Sequence, residues 1–256
     1  MRTELTNEIL YKLSKNLLNR NSKFHNIHRG ESCYIVGNGS SIKYFDLEQF
    51  DDRVSIGCGQ LFLHNDYSKL DVRYYYTGHP FFYYPYWTNP YNLKFERNRP
   101  GLIYKKNIYA RNDIDYFTNL TNYFGISGKN VHFLYRFGQP FSDIKGSDLT
   151  GKYTFMDSAL SAMIGIAIYM GFEDITLVGC DYASSPILWG HFFEFGKRPT
   201  RDNGIIYAEQ SLLAAKEVAE LKTITINPGY KGDIVKETTY KSFTNNEINY
   251  EENYEI

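Results

Sequence analysis

Apolar and polar positions alternate along this chain in two rhythms. Near the start, Leu5, Ile9, Leu10, Leu13, Leu17 and Leu18 recur at helical spacing within "TELTNEILYKLSKNLLN" (3–19), which predicts an amphipathic helix. From residue 33 short apolar runs take over and predict strands: Cys33 to Val36, Val54 to Cys58, "VRYYYTG" (72–78), "NIYAR" (107–111) and "VHFLYRF" (131–137). A packed aromatic loop, "PFFYYPYWTNPYN" (80–92), interrupts the series, and Asp113 to Tyr123 reads as a helix ended by Gly125. Asp157 to Met170 is apolar on nearly all sides and closed by Gly171, so it reads as a buried helix, with "DITLVGCDY" (174–182) as the central strand after it. Residues 183–206 carry no clean period and form an insertion too long for an ordinary connection, either a functional lid or a disordered segment. An amphipathic helix over 207–222 and a strand at 223–227 complete the series, and the weakly patterned tail 236–256 is expected to be mobile.

This alternation predicts one α/β domain, a mostly parallel sheet with helices on both faces and a small lid insertion. The expected division is an N-terminal helix over 1–30, the α/β body over 31–235 with the lid at about 183–206, and a tail over 236–256. In such sheets ligands sit beyond the carboxyl ends of the strands. Three loops there carry suggestive chemistry: Gly37–Ser41, Thr77–Pro80, and Cys180–Tyr182 with the insertion behind it.

Composition narrows the classes. A net charge of -1 with dispersed Lys and Arg gives no field for nucleic acid. The three cysteines, Cys33, Cys58 and Cys180, lack metal-ligand spacing, which fits a reduced, cytoplasmic protein. No secretory h-region and no run of about 20 apolar residues stands in the sequence. The apolar face of the N-terminal helix has three candidate partners: the protein body, which base rates favour, a second subunit, or a membrane surface. The 24 tyrosines and 18 phenylalanines suit sugar and nucleotide contacts, and a codon bias accounts for them equally well.

Five motifs carry candidate chemistry. Gly37-Asn38-Gly39-Ser40-Ser41 follows a buried strand, where backbone amides at a helix start attract phosphate. It matches neither G-x-G-x-x-G nor a P-loop, so a plain connection is the competing reading. Asp181, just after the central strand, is placed to bind a ribose hydroxyl, to position a base or to cap a helix. His191, in "WGHFFEFG", is either a loop-borne general base or a surface histidine among aromatics. Asp157 and Ser158 open the buried helix as caps or ligand contacts. Asp113 and Asp115 form a D-x-D that a metal site could use, and stabilisation of the predicted helix start is the favoured reading.

Taken together, these residues resemble glycosyltransferase family 42, the bacterial sialyltransferases that decorate surface lipooligosaccharides. The family's G-N-G-x-S turn corresponds to Gly37–Ser41, its Cys-Asn-Gln stretch to Cys58-Gly59-Gln60, and its aromatic-Asn-Pro stretch to Thr77-Gly78-His79-Pro80. Its Ser-led buried helix and "E-I-x-L-x-G-x-D-[FY]" correspond to Ser158–Gly171 and "EDITLVGCDY". The likeness is one of order and short motifs over roughly 33–230. It implies a Rossmann-like, GT-A-variant-like domain, a CMP-sugar donor as co-substrate with no further cofactor or required metal, a glycan acceptor, and inversion at the anomeric carbon. It also implies a lid histidine as base, here His191, with Asp181 shaping the donor site. The turn, Gly59, Gln60, His79, Asp157 and Ser158 are the implied nucleotide and donor contacts, and Tyr182 and Tyr207 are candidates for the departing phosphate. Gly59 and His79 stand where the family has asparagine, which leaves the sugar open among sialic acid, Kdo or another CMP-activated acid. Two other classes remain: a Mg-dependent diphosphokinase on a related fold, and a non-catalytic nucleotide- or glycan-binding module.

Overall fold

The chain's computed structural model describes residues 2–84, 100–136, 141–183, 186–201, 208–226 and 234–254. Its centre is an eight-stranded, all-parallel sheet of β1 (Ser32–Val36), β2 (Val54–Cys58), β3 (Val72–Thr77), β4 (Asp115–Asn119), β5 (Val131–Leu134), β6 (Asp174–Val178), β9 (Glu220–Thr225) and β10 (Lys236–Thr239). They stand in the order β10-β9-β6-β1-β2-β3-β4-β5. A small antiparallel pair, β7 (Ile187–Leu188) with β8 (Thr200–Arg201), stands apart from it.

Both faces of the sheet are covered, so its central strands are apolar without alternation. Cys33, Ile35, Ile56 and Leu177 point to one side, where α3 (Ala159–Met170) and α4 (Glu209–Lys216) pack. Tyr34, Val36, Tyr75 and Val178 point to the other, against α2 (Pro100–Ala110), α5 (Tyr240–Thr244) and a set of 3-10 turns. Ser158 caps α3 by accepting from the Ser161 amide at 3.0 Å, and the helix ends at Gly171. Because α3 descends directly into β6, its first turn lies at the carboxyl edge of the sheet and its last at the amino edge.

Two neighbouring expectations are reversed. Residues 107–111 are not a strand but the end of α2, in which Gly101, Tyr104 and Ile108 are buried at helical spacing. Residues 113–123 are not a helix: they contain β4, paired on both sides by β3 and β5, and then a 3-10 turn, Leu120–Asn122. The dipole explanation of Asp113 and Asp115 therefore falls. Asp113 pairs with Arg111 at 2.8 Å, and Asp115 pairs with His132 at 2.6 Å and Lys23 at 3.5 Å.

Three further boundaries move. β6 ends at Val178 rather than 182. α4 stops at Lys216, and the sheet resumes at Glu220, in register with Asp174, where a helix was expected to run to 222. The tail is not loose: it supplies β10, α5 and a segment over 249–254 that hydrogen-bonds to Lys43, Tyr44 and Asn65. Part of the aromatic loop, Phe137 of the predicted fifth strand, residues 184–185 and 202–206 of the lid, and Tyr207 lie outside the described residues.

The N-terminal helix α1 (Arg2–Leu18) packs on the body with the face opposite to the one its sequence suggests. Tyr11 meets Tyr135 edge-on at 5.1 Å, Tyr135 donates to the Asn7 carbonyl, and Lys15 donates to the Thr150 carbonyl at 3.0 Å. Leu5, Ile9 and Leu13 face solvent. Hydrogen bonds and one ring contact fix this orientation, with Leu18 as the fully buried aliphatic anchor.

Candidate active site

The strand order reverses between β1 and β6: the chain runs from β1 outward through β2 and β3, and β6 lies on β1's other side. Such a switch point opens a crevice at the carboxyl edge. The Gly37–Ser41 turn leaves β1 here, and Gly179–Ala183 leaves β6.

The two loops lie against each other. The Gly37 amide donates to the Val178 carbonyl at 2.8 Å, and the Gly39 amide to the Gly179 carbonyl at 2.7 Å. A Cβ on Gly37 would come within 2.5 Å of the Gly179 oxygen, and one on Gly39 within 2.5 Å of both that oxygen and Asp181 Oδ2. The glycines thus serve loop-to-loop approach. The Ser41 amide donates to Asp181 Oδ2 at 2.9 Å. Three amides of the turn are therefore spent on protein acceptors, one of them a carboxylate. Beyond the turn comes only a 3-10 turn, Ser40–Tyr44, where a helix start was expected, so no α-helix dipole adds to anion binding.

What the turn presents is side chains. Asn38 Oδ1 is buried without a hydrogen-bond partner, while its Nδ2 donates to Gln60 Oε1 at 3.4 Å. Gly59, at φ +54, leaves the space that Asn38 fills: a Cβ there would lie 2.0 Å from Asn38 Nδ2. A side chain at position 59 would displace the Asn38 amide from the place it takes here. Ser40 Oγ donates to the Trp189 carbonyl at 3.2 Å and so holds the lid.

Asp181 is not a helix cap. Burial pushes its carboxyl up to about 6, against the pull of the Ser41 hydrogen bonds and the nearby His191. The cavity beside it, lined by Ser41, Leu188 and Thr223–Ile226, holds about 10 Å³, room for about one water. A larger depression, about 480 Å³, lies at the amino edge around His25, Asp148 and Tyr169, remote from these loops.

The lid crosses directly over the turn. His191 forms an antiparallel bridge with Gly39, and the Phe192 amide donates to the Asn38 carbonyl at 3.0 Å. The ring of His191 stacks on Phe193 at 5.0 Å and is half-exposed, with 47% of its side chain accessible. Its Nδ1 lies 3.1 Å from Glu194 Oε1, and Glu194 Oε2 lies 2.7 Å from Arg198 Nη2. The His191 hydrogen bond, reinforced by Arg198, holds the Glu194 carboxyl below the usual carboxylate range. A carboxylate at Nδ1 keeps the proton there and leaves Nε2 as the basic nitrogen. Glu194 was missed in the sequence; its signal was the H-x-x-E spacing within "HFFE".

The remaining sequence candidates scatter around this core. The Tyr182 hydroxyl accepts from the Gly190 amide at 3.0 Å and its ring meets Trp189 edge-on, so it braces the lid. His79 follows β3, two strands from β1; its ring tilts against Phe82 and its carbonyl accepts from Asn122 at 2.9 Å. Asp157 pairs with Arg136 at 2.9 Å beside the capped start of α3, on the same edge of the sheet. The D-x-D lies at the opposite edge, since Asp115 is the first residue of β4.

No protein-family model matches this chain, and no curated protein does. Among solved structures it is similar to the sialyltransferase CstII from Campylobacter jejuni in complex with CMP-3FNeuAc, at 15% identity and TM-score 0.45 over 88% of this chain and 93% of that one. It is likewise similar to CstII with cytidine-5'-monophosphate, at 14% identity and TM-score 0.47 over 89% and 92%. These values describe a distant likeness, from which no residue role is carried over.

Proposed function

We propose that this protein is an inverting glycosyltransferase that moves an acidic sugar, of sialic acid or Kdo type, from a CMP-sugar donor to a hydroxyl of a bacterial surface glycan, working in the cytoplasm without a resident metal. The observation that carries the reading is the His191–Glu194 pair bridged onto Gly39 above the switch point. The order of short motifs along the sequence supports CMP as the nucleotide.

In this reading His191 Nε2 takes the acceptor hydroxyl proton as that oxygen bonds to the anomeric carbon and the bond to the CMP phosphate breaks. Glu194 steadies the imidazolium that forms, as a carboxylate partner does in other histidine bases. With three turn amides spent internally, Asn38, Gln60 and the capped start of α3 are the donor-binding groups. Asp181, an anion when deprotonated, suits sugar or ribose hydroxyls rather than phosphate. The diphosphokinase reading needs carboxylates gathered at the crevice, whereas Asp113 and Asp115 are ion-paired at the other edge. Among the described residues no helix is long and apolar enough to cross a membrane.

The test is transfer and donor hydrolysis by the purified protein with a panel of CMP-sugars, comparing wild type with His191→Ala. The reading expects a loss of about 10² or more in transfer rate. Unchanged transfer in the variant ends the base assignment.

A further inference from the structure

Lys43 follows the turn, and its side chain is 1% accessible. Lysine is almost never buried so deeply unless paired, because removing an ammonium from water is costly. Here all three donors of the ammonium are used. Nζ donates to the Gly196 carbonyl at 3.1 Å, to the Glu194 carbonyl at 2.5 Å and to Glu252 Oε2 at 2.9 Å. Two acceptors belong to the lid and the third to the C-terminal segment.

That segment is itself stitched to both. Glu252 Oε1 accepts from the Gly196 amide at 2.9 Å and from the Tyr250 hydroxyl. The Glu251 amide donates to the Lys43 carbonyl at 2.8 Å, the Asn249 amide to the Tyr44 carbonyl at 3.2 Å, and the Asn253 carbonyl accepts from Asn65 at 3.0 Å. Tyr250 and Tyr254 place their rings 5.7 and 5.6 Å from the ammonium, and Tyr254 also reaches Phe192 of the lid. The residues so fixed, Phe192 to Gly196, are the ones that immediately follow His191.

We infer that residues 249–254 are a strap that holds the His191 loop over the crevice, with Lys43 and Glu252 as positioning residues acting through the lid backbone. The functional half of this inference rests on the base reading of His191; the structural half does not. A methionine would fill the space of Lys43 at lower cost in desolvation, and it would leave the Glu194 and Gly196 carbonyls unpaired. The charge is what makes three separate segments converge on one point.

The experiment is hydrogen exchange on the full chain, comparing wild type with Glu252→Ala and the milder Glu252→Gln, alongside transfer kinetics. Glu252 is about a third accessible, so its truncation leaves the core intact. Loss of the charged contact predicts about tenfold faster exchange over residues 191–198, with β1 and β6 unchanged. Glu252→Gln, which keeps an acceptor for the Gly196 amide, falls between. Transfer kcat drops in Glu252→Ala while the donor KM stays near wild type. No acceleration in the lid, or acceleration spread evenly over lid and sheet, overturns the strap. The exchange arm needs no substrate, so it decides the strap even where His191→Ala leaves transfer intact and ends the base reading.

Discussion

Replacing Asp181 by asparagine isolates the electrostatics of the switch point. Asparagine keeps an oxygen for the Ser41 amide, which Asp181 binds at 2.9 Å, and removes only the charge. Burial raises the Asp181 carboxyl from an ordinary 3.8 to about 6. At about 1.4 kcal/mol per unit, the ionised side chain costs the native state about 3 kcal/mol at neutral pH. The direction follows from proton counts. Between roughly pH 4 and 6 the native state holds a proton that the unfolded state has lost, so stability falls as pH rises across that window. The stabilising effect of the raised value is fully present below pH 4 and is lost as pH passes 6. Urea denaturation of wild type and Asp181→Asn at intervals from pH 4 to 8 gives the difference directly, since all other groups are common to both. The variant is expected to match wild type near pH 4, gain on it through pH 6, and exceed it by about 3 kcal/mol at pH 7 and above. A difference that is flat with pH, or that grows toward acid, would show that the Ser41 bonds hold the carboxyl down, and the description of the site would be wrong.

Other consequences are checked more briefly. Gly59→Ala places a Cβ 2.0 Å from Asn38 Nδ2 at a φ of +54, so it should cost about 1–3 kcal/mol and lower Tm by several degrees; an unchanged Tm contradicts the packing assigned to Asn38. Asn21→Ala removes two buried bonds, to the Phe133 and Leu149 carbonyls at 2.9 and 2.8 Å, and leaves both acceptors unpaired. A loss of about 2–4 kcal/mol with an unchanged m-value is expected, and a loss under about 0.5 kcal/mol contradicts it. Glu194→Gln should lower transfer kcat at least about tenfold with little change in donor KM, because it keeps an acceptor for His191 Nδ1 but removes the charge that stabilises the imidazolium; equal kcat values would disconnect the pair.

How much of this was legible from sequence follows from what each element's residues contact. β1, β2, β3 and β6 lie inside a sheet covered on both faces, so each is a short run of mostly buried residues without in-out alternation. α3 announces itself through Ser158, Gly171 and an all-round apolar surface. Residues 107–119 failed because short mixed runs fit either period. Ile108 and Tyr104 match a helix face only once both are seen to be buried, and Tyr116 and Phe117 are held extended by pairing with β3 and β5. β10 is a polar edge strand, "KETT", with no apolar run to betray it.

The meeting of Gly37, Gly39 and Asp181 was legible because turns that follow buried parallel strands gather at the carboxyl edge of the sheet. The sequence nonetheless suggested an open cradle, and only the fold reveals that Asp181 occupies it. Lys43 was illegible for a different reason. Its burial depends on Glu252, 209 residues away, and no local pattern encodes that.

The central claim, a CMP-sugar site at the switch point, is tested most directly by a thermal-shift panel of CMP, CDP, UDP, GDP and ATP, with and without Mg²⁺. A ligand at 100 times its Kd stabilises the native state by about 2.7 kcal/mol, worth roughly 5–10 °C in a chain of this size. The account predicts a rise of that order with CMP, smaller with the other nucleotides, independent of Mg²⁺ and reduced in an Asn38→Ala variant. No rise with CMP, or a rise with ATP that needs Mg²⁺, contradicts it.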